Sequence, residues 1–217
     1  DNHVLVVNKK AGELVQGDKT GDPTLADHLK AYIKEKYNKP GAVYLGIVHR
    51  IDRPTSGVVI FTKTSKALSR LNEQFKKRIS EKTYWAVVIK KFSEKEGKLK
   101  HWMTRNEKQN KSKAHKNEVP NSKEATLLFK RILELDHYCL LEITLETGRH
   151  HQIRAQLSAI EFPIQGDLKY GAPRSNKDGS ISLHARKLKI QHPITKEILT
   201  FKANPPKTGI WKVVPCD

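Results

Sequence analysis

Residues 49–61 read HRIDRPTSGVVIF, a polar, turn-forming segment followed at once by a continuous apolar run rich in β-branched residues. Positions 54–57 carry turn-forming residues, and the run from 58 to 61 predicts a buried strand. Arg50 and Asp52 therefore stand two residues apart at the mouth of a strand. If this segment is extended, both side chains project from the same face.

Further strands are predicted on both sides of this stretch, from period-two alternation or short apolar runs. The predicted strands cover residues 3–9, 44–49, 57–63, 82–90, 136–146, 183–190 and 197–203. Strands outnumber helices, several follow each other directly, and no regular alternation of strand and helix is visible. The pattern favours an α+β fold, a mixed and largely antiparallel sheet with flanking helices.

Three segments have apolar residues at helical spacing. Residues 23–37 form the first. In the second, residues 66–79, Ser65 is the predicted N-cap, and the apolar stripe is Leu68, Leu71, Phe75 and Ile79. In the third, residues 147–160, the chain turns at Gly148 and then becomes helical, with Ile153, Leu157 and Ile160 facing inward.

Residues 107–123, EKQNKSKAHKNEVPNSK, contain five lysines and almost nothing to bury. We interpret this segment as a surface loop, since sheet-like sequence lies on both sides of it. Its lysines could contribute charge to a binding surface.

The length of 217 residues suits one domain with a sizeable core, and we expect a single domain over residues 1–217. No apolar run is long enough to span a membrane. The two cysteines, Cys139 and Cys216, offer neither a disulfide framework nor a metal-binding spacing. We therefore expect a monomer in a reducing, cytoplasmic setting, with no membrane partner.

The net charge is the most informative feature of the composition. Forty-one lysines and arginines stand against 23 acidic residues, giving +18 and an isoelectric point near 9.8. An excess of this size attracts polyanions through long-range attraction and counterion release. The charge predicts nucleic acid or a ribonucleoprotein as the partner.

Five segments, in order along nearly the whole chain, resemble the motifs of the RluA-type pseudouridine synthases. HRIDRPTSG resembles their HRLDxxTSG signature, with Ile51 in place of the usual leucine. TGRHHQIRAQL (147–157) is similar to GRxHQIR, and EKTYWAVV (81–88) resembles the segment bearing the active-site tyrosine. GDLKYG (166–171) and LHARKLKIQHP (183–193) resemble the C-terminal landmarks. The opening segment, residues 1–15, is similar to the start of the catalytic domain, so we expect no N-terminal S4-type RNA-binding domain within this chain.

The resemblance implies an isomerase that acts on uridine in ribosomal or transfer RNA and uses no cofactor. Such an enzyme breaks the N1–C1′ glycosidic bond, turns the uracil and rejoins it through C5. By resemblance, the catalytic residues are Asp52, Tyr84 and Arg154. Asp52 stabilises or bonds to the sugar carbon, Arg154 keeps that carboxylate ionised, and Tyr84 stacks on the uracil.

A uracil within stacked RNA must leave its stack to reach Asp52. Arg50 is suited to fill the gap, because a guanidinium plane both stacks and forms hydrogen bonds. The other RNA-binding residues that we predict are Lys82, Arg149, His151, Lys108, Lys111 and Lys113.

Two other functions compete with this prediction. The first is a catalytically idle RNA-binding or ribosome-assembly protein on the same fold, although such a protein need not retain Asp52, Tyr84 and Arg154 together. The second is a nucleoside hydrolase, which would need an acid for the leaving group and a path for water. A metal site at His150 and His151 is not expected, because adjacent residues diverge on a helix and no third ligand lies nearby.

Overall fold

The computed structural model describes residues 1–17, 20–89 and 92–214. Within these ranges one mixed sheet of ten strands carries three α-helices and two short 3-10 helices on its faces and edges. The predicted α+β class, with a largely antiparallel sheet, is confirmed. Lys90, at the end of a predicted strand, and Cys216 lie outside the described residues.

The elements follow each other along the chain with strands in the majority. The strands are β1 (Val4–Lys9), β2 (Gly46–Ile47), β3 (Ser56–Thr62), β4 (Glu81–Ile89), β5 (Glu96–Asn106), β6 (Lys111–His115), β7 (Lys123–Glu134), β8 (Tyr138–Leu145), β9 (Leu183–Gln191) and β10 (Ile198–Lys202). The α-helices are α1 (Leu25–Lys36), α2 (Ser65–Lys76) and α3 (Gln152–Ala159), and the 3-10 helices span Leu168–Tyr170 and Gly209–Val213.

The strand order places β3, β9 and β4, which adjoin or contain three of the segments that resemble family motifs, side by side in the sheet. The order is β1-β3-β9-β4-β8-β7-β5-β6, with β10 on β9 and β2 on β3. Among the described strands every pairing is antiparallel except β3 with β9. All seven residues of β3 are buried, which explains its unbroken apolar sequence.

Gly57, at the start of β3, is required by the parallel contact with β9. Its φ is +120°, and a Cβ at this position would collide with the backbone of Ala185. A side chain at position 57 would therefore separate the two strands directly beside the loop that carries Asp52.

Two details of α2 differ from the sequence prediction. The N-cap is Thr64, not Ser65: Thr64 is extended, and its hydroxyl accepts a hydrogen bond from the backbone N–H of Ala67. The helix ends at Lys76, and Arg78 adopts a φ of 58°. Ile79 therefore leaves the helical stripe and is 57% exposed.

The interpretation of residues 107–123 as a surface loop was wrong in part. Residues 111–115 form β6, which pairs with residues 102–106 of β5 in a β-hairpin. The inward positions of β6 carry small residues, Ser112 and Ala114. Small residues can pack closely against a neighbouring element without the apolar alternation that marks most strands, so the local pattern offered little sign of a strand.

No helix in the described part of the chain is long and apolar enough to cross a membrane.

Candidate active site

A cavity of about 550 Å³ opens where the loop before β3 meets the start of β4 and the segment that leads into α3. These three segments contain the strongest motifs of the sequence. Asp52, Tyr84 and Arg154 all line the cavity, together with Arg50, Lys82, Arg149 and His151. The fold thus brings together seven of the ten residues predicted from sequence.

The centre of the cavity wall is a chain of two carboxylates joined by one guanidinium. Arg154 donates through Nη1 to Asp52 Oδ2 at 2.9 Å, and through Nε and Nη2 to the two oxygens of Asp167 at 2.7 and 2.9 Å. Asp167 is 1% exposed and Arg154 is 5% exposed, whereas the Asp52 side chain is 27% exposed. Asp52 is therefore the carboxylate that a molecule in the cavity can reach.

The two carboxylates determine the charge of Arg154. Burial alone would lower the pKa of Arg154, but the hydrogen bonds and negative charge of Asp167, and then those of Asp52, raise it above its ordinary value. The guanidinium is therefore a permanent cation, and it lies 2.9 Å from the Asp52 carboxylate at the cavity surface.

Helix α3 presents Arg154 through a tight turn at its start. The Gln152 side chain accepts hydrogen bonds from the Arg149 N–H at 3.0 Å and from the Thr147 hydroxyl at 2.8 Å. His151 has a left-handed φ of 52°, which turns the chain into the helix. Arg154 then lies in the first turn of α3, facing the Asp52 loop.

His151 lies behind Asp52 and is held by the hydroxyl of Tyr170. His151 Nε2 is 3.5 Å from Asp52 Oδ2, and Nδ1 is 2.9 Å from Tyr170 Oη, which accepts the backbone N–H of Ser112. Burial lowers the pKa of His151 to about 3. The imidazole is therefore neutral at physiological pH.

His150 and His151 do not diverge as predicted, because both precede α3. Their rings stack with centroids 3.8 Å apart, and His150 Nδ1 lies 2.9 Å from the Ser112 hydroxyl. Within the described residues, no three His, Cys, Asp or Glu side chains are grouped so that they could hold a metal ion.

Tyr84 and Lys82 both project into the cavity from β4, two residues apart. Burial, and then the charge of Asp52, raises the pKa of Tyr84, so its phenol stays protonated at physiological pH. Lys82 Nζ lies 5.6 Å from the centre of the Phe75 ring, and burial lowers its pKa. The two side chains supply an aromatic ring and a partly desolvated amine to the same wall.

Arg50 and Arg149 stand at the rim. Arg50 is exposed, with its Nη1 3.4 Å from Gln16 Oε1. Arg149 donates through Nε to the backbone oxygen of Glu124 at 2.9 Å. Both guanidinium groups remain accessible to solvent and can contact a polyanion.

The remaining three predicted RNA-binding residues, Lys108, Lys111 and Lys113, do not line the cavity. They are exposed on the β5–β6 hairpin. Lys111 Nζ lies 5.3 Å from the centre of the Tyr170 ring. Arg105, on β5 of the same hairpin, does reach the cavity wall, and the sequence analysis missed it.

Lys9 binds the backbone of the Asp52 loop, and it was not predicted from sequence as a residue of the site. Lys9 is 1% exposed, and its ammonium donates to the backbone oxygens of Lys10, Glu13 and Arg53 at 2.9, 2.8 and 3.1 Å. The Gly12 N–H donates to the same oxygen of Arg53 at 2.8 Å. The residue after Asp52 is therefore fixed by two donors.

Asp167 and Tyr170 were missed as site residues although GDLKYG was singled out as a motif. Their partners, Arg154 and His151, are more than a dozen residues away in sequence. A single sequence does not distinguish an aspartate that binds a buried arginine from an aspartate that only forms a turn.

Comparisons with known proteins identify the family of this chain. The family model described as RNA pseudouridylate synthase matches residues 3–159. The Bacillus subtilis protein YlyB, named as an uncharacterized RNA pseudouridine synthase, is 35% identical over 95% of this chain and 68% of its own length. The Haemophilus influenzae dual-specificity RNA pseudouridine synthase RluA is 32% identical over 94% of this chain and 90% of its own length.

The chain spans 64–68% of the length of three of its curated relatives. Among solved structures, human RNA pseudouridylate synthase domain containing 4 superposes with a TM-score of 0.78 at 23% identity. That match covers 95% of this chain and 87% of the human one. It shows that the fold is shared.

Proposed function

The chain belongs to the RluA-type family of RNA pseudouridine synthases, and on that basis we propose that it isomerises uridine to pseudouridine in ribosomal or transfer RNA, with Asp52 as the reacting carboxylate. One observation carries the proposal: an accessible carboxylate, bound at 2.9 Å by a buried guanidinium, faces a cavity large enough for a flipped nucleotide. The reaction is proposed from the family, and the roles of the residues are proposed from the geometry of the cavity.

In the proposed reaction Asp52 acts on the sugar. Cleavage of the N1–C1′ bond leaves positive character at C1′, which an adjacent carboxylate stabilises or bonds to. The uracil leaves as an anion, turns within the cavity and attacks C1′ through C5. The hydrogen on C5 is then lost as a proton and N1 gains one, so product and substrate have the same atoms.

The other cavity residues retain and orient the uracil. Tyr84 offers its ring as a stacking surface, and Arg154 keeps Asp52 charged when RNA excludes water from the cavity. Arg50 lies at the rim, where it can occupy the space that a flipped base leaves. Lys82, Arg149, His151 and Arg105 bind the nucleotide or its phosphates, and the three hairpin lysines extend the positive surface.

The hydrolase alternative is disfavoured by the acids of the cavity. A glycosidase that releases its base needs a second carboxyl group to protonate the leaving group. Among the described residues that line the cavity, the other carboxylate is Glu146. Glu146 is engaged in an ion pair with Lys98 at 2.9 Å, so the described residues of the cavity wall offer no second carboxyl group free of a cationic partner.

The experiment that tests the proposal uses RNA labelled with tritium at uracil C5. An isomerase releases tritium to water without releasing free uracil, because C5 loses its hydrogen when it forms the bond to C1′. A hydrolase releases labelled uracil, and an idle RNA-binding protein releases neither. We expect tritium release from ribosomal or transfer RNA, and mapping the pseudouridine formed would identify the target position. Labelled uracil, or no release from any cellular RNA, would overturn the proposal.

A further inference from the structure

Three tyrosines are exposed at the end of the sheet away from Asp52. Tyr32 and Tyr37 are 46% and 49% exposed at the C-terminal end of α1, and Tyr44 is 46% exposed in the segment that leads to β2. Half-exposed aromatic rings are common singly, but three in one region form a surface with a defined chemistry.

Two lysines link these rings. Lys36 Nζ lies 5.3 Å from the centre of the Tyr32 ring and 5.9 Å from that of Tyr37, and Lys63 Nζ lies 4.6 Å from the Tyr37 ring. The Tyr44 hydroxyl lies close to Thr62, the residue before Lys63, because a methyl group added to Gly46 would meet both that hydroxyl and the Thr62 side chain. We call Tyr32, Lys36, Tyr37, Tyr44 and Lys63 the tyrosine–lysine patch.

The patch is remote from the chemistry. Lys63 directly follows Thr62, the last residue of β3, whereas the Asp52 loop precedes Ser56, the first residue of that strand. Six residue steps along a strand span about 20 Å. A ligand bound at the patch therefore cannot be the nucleotide that reacts at Asp52.

The charge around the patch favours an anionic ligand. Lys30, Lys34 and Lys39 are exposed on α1 and just beyond it, in addition to the two lysines of the patch, and the one acidic residue between positions 30 and 39 is Glu35. Lys36 Nζ donates to the Tyr32 hydroxyl at 2.8 Å, and Lys63 Nζ donates to the backbone oxygen of Asp1 at 2.9 Å. An ammonium group has three donors, so each lysine keeps donors for phosphate oxygens.

We propose that the tyrosine–lysine patch is a second RNA-binding surface, which stacks unpaired bases on its tyrosines and contacts the adjoining phosphates with its lysines. Aromatic rings interleaved with cations form the usual platform for single-stranded nucleic acid, since every base has a face that can stack. A duplex keeps its bases stacked internally and offers only phosphates. The inference rests on the proposed function only in taking RNA as the ligand.

The test compares Tyr37→Leu, which keeps apolar area but loses the π face, with Tyr37→Phe, which keeps the face and loses the hydroxyl. We expect Tyr37→Leu to weaken binding of a flexible single-stranded RNA about fivefold or more, and Tyr37→Phe to bind within about twofold of wild type. Binding of a perfect RNA duplex should change little in either variant. At saturating RNA, single-turnover tritium release should match wild type, because the patch is far from Asp52.

The inference is overturned by unchanged single-strand affinity in Tyr37→Leu, by equal losses in Tyr37→Leu and Tyr37→Phe, or by equal losses on single strand and duplex. If Tyr37→Leu without RNA differs from wild type in its oligomeric mass in solution, the surface binds a second copy of the chain, and this result also contradicts the inference. If wild type releases no tritium, the proposed function fails, while the binding comparison still decides the patch.

Discussion

Arg154 and Asp52 are 102 residues apart in sequence, yet their side chains meet at 2.9 Å on the wall of the cavity. The same guanidinium is held from behind by Asp167, so it is fixed before any RNA enters. A group that is already in place needs no reorganisation during the reaction. The pair therefore places a fixed cation beside the reachable carboxylate, in a cavity from which bound RNA will exclude water.

The first prediction uses a neutralised pair, Arg154→Met with Asp167→Asn, so that no buried charge is left unpaired. We expect this double variant to bind RNA nearly as well as wild type and to react about 100-fold more slowly or worse. A loss of RNA affinity equal to the loss of rate would make Arg154 a phosphate-binding residue instead.

The matching stability measurement is a double-mutant cycle by urea unfolding. Arg154→Met alone leaves Asp167 charged and buried, and should lower the free energy of unfolding by about 3–5 kcal/mol. Adding Asp167→Asn should restore part of that loss. Additive effects of the two substitutions would show that the buried pair is not coupled.

The second prediction concerns His184, which is fully buried. His184 Nδ1 lies 2.9 Å from the Ser56 hydroxyl, and Nε2 lies 2.9 Å from the backbone oxygen of Ala203. Burial lowers its pKa to about 4, against about 6.5 in an unfolded chain. Between these values the unfolded state binds more protons than the folded state, so the free energy of unfolding falls as the pH is lowered from about 6.5 to about 4.

Urea unfolding at several pH values in that window checks the effect. His184→Gln should reduce the slope of the free energy of unfolding against pH by up to about 1.4 kcal/mol per pH unit. Parallel curves for wild type and His184→Gln would refute the assignment.

The third prediction concerns base flipping through Arg50. An unstacked gap costs a few kcal/mol, and an inserted guanidinium offsets part of that. Arg50→Ala should therefore slow single turnover strongly on a structured stem-loop and much less on a flexible strand whose target is already unstacked. Equal slowing on both RNAs would indicate that Arg50 only supports the loop, as its hydrogen bond with Gln16 suggests.

The fourth prediction concerns the lysines of the β5–β6 hairpin. Replacing Lys108, Lys111 and Lys113 with Gln should weaken RNA binding and reduce its salt dependence. The log–log slope should fall by about 0.7 for each single-strand phosphate that a lysine no longer neutralises. Affinity measured over a range of salt concentrations gives that slope.

A matched control removes the same charge elsewhere, at the exposed Lys189, Lys196 and Lys202 of the β9–β10 region. The control should change the slope less than the hairpin variant. Equal slopes in the two triple variants would show that the hairpin does not bind RNA specifically.

The sequence predicted the parts of this protein that depend on local pattern. The unbroken apolar run after Gly57 marked the central strand β3, and apolar spacing marked the three helices. The strand β6 was missed because its inward positions, Ser112 and Ala114, are small, and pairing with β5, which no local pattern reports, holds residues 111–115 in a strand.

The site followed from motifs where these were distinctive, and was missed where function depends on tertiary structure. Asp52 and Arg154 were found through resemblance, since nothing in their spacing places them together. Asp167 and Lys9 were not found, because their partners are brought to them by the fold. The N-cap of α2 was predicted one residue too late, at Ser65 and not Thr64, because the backbone conformation decides which of two adjacent hydroxyls caps the helix.

The most direct test of the proposed mechanism is single-turnover release of tritium from C5-labelled RNA by Asp52→Asn. This change keeps the shape of the side chain and an oxygen for Arg154, and removes the charge. We predict RNA affinity within about threefold of wild type and a rate at least about 1,000-fold lower, because the carboxylate is the group that reacts. Tritium release by Asp52→Asn at a rate close to that of wild type would contradict the proposal that Asp52 performs the chemistry.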